Sequence, residues 1–268
     1  MRIKRLGPLF AFGLLLSGIA VQAQQSPSST TPTRDPQALT ILSECLQASG
    51  GSQAIAAMHD FTETGTITHN WAGQQVQDAA TMRGLGMSNF RLDDTRSNGT
   101  YSWAVSLAGG SKKDTDGTIS AMPWGDAVNL ISATWPLPIV LTAVTNANWQ
   151  VINAGQKTFN GQPAYDIQIE QVLPAAADPT GKFSSLTQRD IFISTSSFLI
   201  LGAQDLIHPY NPVLRTYTHQ LLYSKYQNVN GVLVPFSVAD TITGQTTWTF
   251  TPDSISFNSG LTAADFTL

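Results

Sequence analysis

The chain has 268 residues, of which 42% are hydrophobic and only 12% charged, with a formal net charge of −4. An acidic balance of this kind lacks the basic footprint that nucleic acid or anionic headgroups require. The single cysteine, Cys45, excludes an intramolecular disulfide, so the fold must rest on its core.

Arg2, Lys4 and Arg5 open the chain, an apolar stretch runs from Leu9 to Ala20, and Val21-Gln22-Ala23 supplies small residues before a cut. This is the layout of a secretory signal peptide, expected over residues 1–23. Its apolar part is too short for a permanent span, and no Cys lies near the cut to carry a lipid anchor. The leader takes three of the 14 basic residues and none of the 18 acidic ones, so the exported part is more acidic still. Residues 24–34, opening "QQSPSSTTPT", are polar and aperiodic and read as a disordered spacer. One domain is expected over 35–268, exported to the periplasm or beyond.

The domain opens with a helix. Asp35 is a natural N-cap with Pro36 at the first helical position, and Leu39, Leu42 and Leu46 recur beside Ile41 and Cys45 on one face. Gly50 or Gly51 stops it, and Ser52 is expected to cap a second short helix through Met58. Cys45 lies on the buried stripe with no basic neighbour in sequence to lower its pKa, which makes it a structural thiol.

After Met58 the period changes to 2. Phe61, Glu63, Gly65, Ile67, His69 and Trp71 fall on one side; Tyr101, Trp103, Val105 and Leu107 alternate with small residues. Tyr165, Ile167 and Ile169 share a face, as do Val232, Val234, Phe236 and Val238, and then Trp248 and Phe250. Such alternation belongs to antiparallel sheet buried on one side. Asn98-Gly99, Asn160-Gly161 and Asn230-Gly231 each separate two such runs and predict tight hairpins.

The stretch from Pro123 to Trp149 breaks the alternation. Pro136 and Pro138 make a stiff start, and the apolar residues after them suit about two helical turns. Such a helix either closes one side of the sheet as core or serves as a movable lid over a ligand cavity.

Reactive constellations are not evident. The chain has no G-x-S-x-G elbow and no S-x-x-K pair. His59, His69, His208 and His219 show no metal-ligand spacing, and His59-Asp60 with Glu63 is expected to be solvated. Asp114 and Asp116 resemble the start of a calcium loop, but the twelfth position is Gly125, so a polar hairpin tip is expected. No acidic pair stands out on an apolar strand face. No catalytic residue, metal site or cofactor is assigned, and an enzyme is not expected.

The order of "QASGG", "SQAIAAM", "FTETGTIT", "DIFISTSSFLIL", "YQNVNGVLVPFSV" and "SISFNSGLTAADFTL" resembles the outer-membrane lipoprotein-sorting (LolA/LolB-like) superfamily, over roughly Asp35 to Leu268. The resemblance implies a mainly β fold, an open, half-closed antiparallel β-barrel with an N-terminal helix and a helical plug or lid. It also implies a concave apolar face that receives acyl chains, with the lid falling around Trp135 to Val144. The lipoprotein carrier holds its lid with an Arg on an early strand; Phe61 to Trp71 contains none, and Arg83 and Arg91 fall on later strands. The expected ligand-contacting residues are Trp103, Trp135, Leu137, Ile139, Leu141, Tyr165, Ile167, Phe236, Trp248 and Phe250. Two functions follow as expectations. One is a carrier or sensor of a lipid, acyl chain or other apolar ligand; the other is an interaction module for an envelope protein on the same fold. Neither involves nucleic acid or a permanent membrane span.

Overall fold

The computed structural model describes residues 31–71, 73–106, 109–122, 136–207 and 216–268. Two helices open the fold, α1 (Pro36–Ala48) and α2 (Ser52–Ala56). Six strands follow: β1 (Asp60–Trp71), β2 (Gln74–Leu85), β3 (Asn89–Arg96), β4 (Gly99–Ser106), β5 (Gly109–Lys113) and β6 (Ile119–Met122). Helix α3 (Pro136–Thr145) leads into β7 (Trp149–Phe159) and β8 (Gln162–Gln171), and a single turn, α4 (Lys182–Ser185), precedes β9 (Arg189–Ser194). Strands β10 (Ile200–Ile207), β11 (Tyr217–Val229), β12 (Val232–Ile242) and β13 (Gln245–Phe257) complete the sheet, and a 3₁₀ turn, Ala263–Phe266, ends the chain.

All thirteen strands form one antiparallel sheet in the order β6-β5-β4-β3-β2-β1-β13-β12-β11-β10-β9-β8-β7. Every neighbour is a sequence neighbour except β1 and β13, whose pairing joins the two halves into one curved surface. The sheet is not closed, and β6 and β7 are its ends. This is the antiparallel sheet expected from the alternation, in the open half-barrel form that the resemblance implied.

Local chemistry sets the joints. Asp35 Oδ1 accepts from the backbone N–H of Gln37 at 2.7 Å and Ala38 at 3.0 Å, capping α1. The turn at Asn230-Gly231 has φ of 52° and 90°, and that at Asn160-Gly161 has 46° and 77°, values that suit a twisted two-residue hairpin. Asn98-Gly99 differs: Arg96 pairs with Gly99, so the loop is Ser97-Asn98 and Gly99 already belongs to β4. Gly99 is needed for closeness, since a Cβ there would lie 2.3 Å from the carbonyl of Thr115. Asp114 to Thr118 forms a polar hairpin tip as expected, with Asp116 accepting from the Thr118 N–H. Ser52 is the first residue of α2 and Gly51 its N-cap, so the expected Ser52 cap is not made.

The core lies between the concave face and helices α1 and α3. Leu42, Cys45 and Leu46 of α1 and Leu137, Ile139, Val140 and Ala143 of α3 join Ile67, Ile167, Ile191 and Phe250 of the sheet in one cluster. Each buried Leu, Ile, Val or Phe among them contributes about 1.5–3 kcal/mol by leaving water. Cys45 is fully buried and burial pushes its thiol up to about 12, so it packs rather than reacts. The convex face carries a small apolar cluster of Phe159, Ala164 and Phe192 and is otherwise polar. Gln168 and Gln204 both donate to Asp190, and Gln220 donates to Gln204, in a ladder across β8 to β11.

Thr33 and Arg34, assigned to the spacer, are tied to the fold. The N–H of Val151 donates to Thr33 O, and Arg34 forms a parallel bridge with Val151.

Candidate functional site

The concave face carries both the apolar surface and an unexpected set of buried polar groups. Nine of the ten residues expected to meet ligand lie in the one core cluster. Leu137, Ile139, Ile167 and Phe250 are buried in it, whereas Trp103, Leu141, Tyr165, Phe236 and Trp248 are only partly buried against it. Trp135 lies outside the described residues. The sheet register explains the grouping: Trp248 opposes His69, Phe250 opposes both Ile67 and Val238, and Val238 opposes Tyr223. A cavity of about 20 Å³ opens here between Phe61, Glu63, Met82, Phe90, Tyr223 and Trp248, closed below by Val238 and Pro235. Trp248 is the one predicted residue among its walls.

Gly84 makes room for this wall. It faces Phe61 across the β1–β2 pair, and a Cβ at that position would lie 2.2 Å from the Phe61 ring. The Phe61 ring therefore occupies the space that a side chain at position 84 would fill.

The sequence reading missed the polar set. Asp205 opposes His219 across β10 and β11, and Arg189 falls one step beyond the Gln204–Asp190 pair, next to Asp205. His219 Nδ1 lies 2.7 Å from Asp205 Oδ1, and its Nε2 lies 2.7 Å from Asp240 Oδ2. Asp240 also accepts from the Thr247 hydroxyl. With a carboxylate at each ring nitrogen, the imidazole carries both protons. Burial alone would lower its pKa, but the hydrogen bonds and charges of the two aspartates outweigh it and hold it at about 9. Arg189 is buried and its Nε meets no acceptor among the described residues. Burial lowers its pKa, opposed by the charge of Asp205.

Glu63 corrects another expectation. It is 8% exposed rather than solvated, and burial pushes its carboxyl up to about 8. Asp60 is also buried, accepting from the N–H groups of Ser259, Gly260 and Leu261 and so anchoring the C-terminal segment. The phenol oxygen of Tyr223 and the indole nitrogen of Trp103 are buried with no partner among the described residues.

A second polar group sits at the far end of β1. Ligand atoms of His69, Asp78 and Asp94 lie within 4.8 Å of one another. Asp94 Oδ2 already takes a hydrogen bond from Arg96 Nε at 2.7 Å and contacts His69 Nε2 at 3.0 Å. A divalent ion there would have to displace the guanidinium and would gain only three protein ligands, so the group reads as an ion-pair cluster. Arg83 and Arg91 are engaged elsewhere, both on Asp93, and Arg91 also donates to Asp265 O.

The larger cleft, about 790 Å³, lies away from this face. Asn148, Gln150, Glu170, Asp178 and Ser184 give it a polar lining between the ends of β7 and β8 and the α4 turn. Val172, Leu173, Pro174 and Ala175 add an apolar part to its wall.

No family model matches the chain, and no curated protein matches it. Solved structures do. An outer membrane lipoprotein-sorting protein domain from Vibrio parahaemolyticus aligns with a TM-score of 0.55 at 12% identity, covering 85% of this chain and 95% of that one. A DUF1329 family protein from Desulfovibrio piger aligns at 0.54 and 11%, covering 87% and 98%. A LolA superfamily protein from Nitrosomonas europaea aligns at 0.53 and 10%, covering 86% and 97%. At such identities the likeness is one of fold, and the chain has the LolA-like fold.

Proposed function

We propose that the protein is an exported, periplasmic carrier or sensor that takes a lipid or acyl chain on the concave face of its sheet without acting on it chemically. The observation that carries this reading is the row of large side chains, Trp103, Tyr165, Phe236 and Trp248, held only partly buried around a mostly apolar interior. Each methylene moved onto such a surface is worth about 0.8 kcal/mol, so ten would supply about 8 kcal/mol without any reactive group. The lipoprotein-sorting description of a structural neighbour agrees with this chemistry. The leader composition supports a place of work outside the cytoplasm, and no helix among the described residues is long and apolar enough to cross a membrane. The described cavity holds only a water-sized group, so uptake of a chain requires side chains of the concave face to move apart.

Native mass spectrometry of protein purified from cells tests the reading. A bound lipid mass, released by mild activation, is expected. A second reading, an interaction module, draws on β6, the terminal strand of the sheet, where Ile119 is 52% exposed. Protein free of lipid that retains a stoichiometric polypeptide partner would favour it.

A further inference from the structure

The cleft of about 790 Å³ between the ends of β7 and β8 and the α4 turn is walled in part by Thr31 and Pro32 of the N-terminal segment. Directly after them the chain is pinned. Thr33 O accepts from the Val151 N–H at 2.8 Å, and the Asp35 N–H donates to Val151 O at 2.9 Å, which sets Arg34 beside β7 in a short parallel bridge. Arg34 adds four hydrogen bonds to carbonyls around the end of α3. Upstream of Thr33 the bridge does not continue along β7. The next N–H on that edge, of Trp149, donates instead to Asn146 O at 3.2 Å. Pro32 disfavours a helical conformation at Thr31, so the chain enters the cleft extended.

Next upstream come residues 24–30, QQSPSST, which follow the expected leader. Their chemistry matches the cleft. They carry no charged side chain, so they bring no carboxylate toward Glu170 and Asp178 and no side-chain ion to be stripped of water. Their amides, hydroxyls and backbone N–H groups can donate to Asn148, Gln150 and Glu170, while Pro27 suits the apolar wall at Val172 and Pro174. A hydrocarbon chain in the same place would leave those amides and the carboxylate without partners. Seven extended residues reach about 25 Å, enough to cross the cleft. The tether also holds the segment at an effective concentration on the order of millimolar, so weak contacts suffice to dock it.

We propose that residues 24–30 lie in this cleft as a strap, continuing the line of Thr31 to Arg34 across the ends of β7 and β8. The strap closes the cleft to outside ligands and steadies Arg34 against the end of α3. The place of the leader cut then decides how much of the strap remains.

The test replaces Ser28 of the exported protein by the photoreactive p-benzoylphenylalanine, with Thr31 as the control position, and maps the crosslinks by peptide mass spectrometry. Both positions should label the cleft wall around Leu173 and Pro174, within one polypeptide and independently of protein concentration. Hydrogen exchange then compares the unsubstituted exported protein with a form lacking residues 24–30, its N-terminus confirmed by mass. Amides of residues 172–184 should exchange about threefold to tenfold faster without the segment, while those of β11 and β12 stay unchanged. Labelling from Thr31 alone, from neither position, or from Ser28 to sites outside the cleft overturns the proposal. So does equal exchange with and without the segment. Crosslinks that join two copies make the occupant a second chain, and a co-purified small molecule that blocks the Ser28 label gives the cleft to an outside ligand. Either result overturns the strap.

Discussion

Arg34 Nη2 donates to the carbonyl of Val144 at 2.7 Å, joining the residue before the N-cap of α1 to the last turn of α3. Its Nη1 donates to the carbonyls of Ala143 and Asn146, each at 3.0 Å, and of Trp149 at 2.8 Å. The carbonyls of Ala143 and Val144 are among the acceptors that a helix C-terminus leaves without intrahelical partners, and the cation also suits the negative end of the helix dipole. The helix expected to cover the concave face is thus held by an arginine from outside the sheet, while Arg83 and Arg91 serve the convex side.

Removing that clamp should loosen α3. Arg34→Ala is expected to lower the unfolding free energy by about 2–4 kcal/mol, since hydrogen bonds to a charged group contribute about 1.5–3 kcal/mol each and are not additive. Arg34→Lys should recover less than half, because an ammonium cannot fork over several carbonyls. Urea unfolding measures both. Equal midpoints for wild type and Arg34→Ala would mean that the helix end is held by something else.

Helix α3 is packed as core at Leu137, Ile139, Val140 and Ala143, and half-open at Leu141 and Val144. Ile139→Ala should therefore cost about 2–4 kcal/mol, and Leu141→Ala distinctly less. The same urea series would show it. Equal costs at the two positions would mean that both side chains are buried alike in solution.

Stability should fall as pH rises above the acidic range. His219, facing Asp205 and Asp240, holds its proton more tightly folded, at about 9, than at its ordinary 6.5. Its contribution is complete below 6.5 and is lost as pH rises through about 9. Glu63, facing Tyr223, has its folded value at about 8 against an ordinary 4.5, so its burial becomes progressively less favourable between those values. The two effects have the same sign and overlap between 6.5 and 8. A loss on the order of 2–5 kcal/mol between pH 6 and 9 is expected. Glu63→Gln should flatten the lower part of the profile. A urea midpoint that stays constant across this range would contradict the protonation states assigned to the pair.

The parts of the fold that were legible in sequence are those set by near neighbours. Asp35-Pro36 states a helix start within two residues, and Asn230-Gly231 states a turn. The 2-residue period of Phe61, Glu63, Gly65 and Ile67 states which side faces inward. The closing "NSGLTAADF" is explained by anchoring. Asn258 accepts from the His59 N–H and donates to Ala57 O, Asp265 completes a capping box with Thr262, and Phe266 is buried. The polar cluster was not legible, because Arg189, Asp205, His219 and Asp240 come from four strands and meet only through register. A signal was nevertheless present: His219 alternates with Leu221 and Tyr223, and Glu63 with Phe61 and Ile67, so both occupy inward positions. Arg34 was hidden by a different cause. It follows a low-complexity run, and its partners lie more than a hundred residues away.

The most direct measurement of the central claim is photo-crosslinking with a C16 fatty acid carrying a diazirine near mid-chain, followed by peptide mapping. The concave-face account predicts adducts on Met82, Phe90, Val238 and Trp248, competed away by unlabelled palmitate. Adducts confined to outward or exposed apolar residues such as Trp71, Phe183 and Leu206, or labelling that palmitate does not reduce, would contradict it.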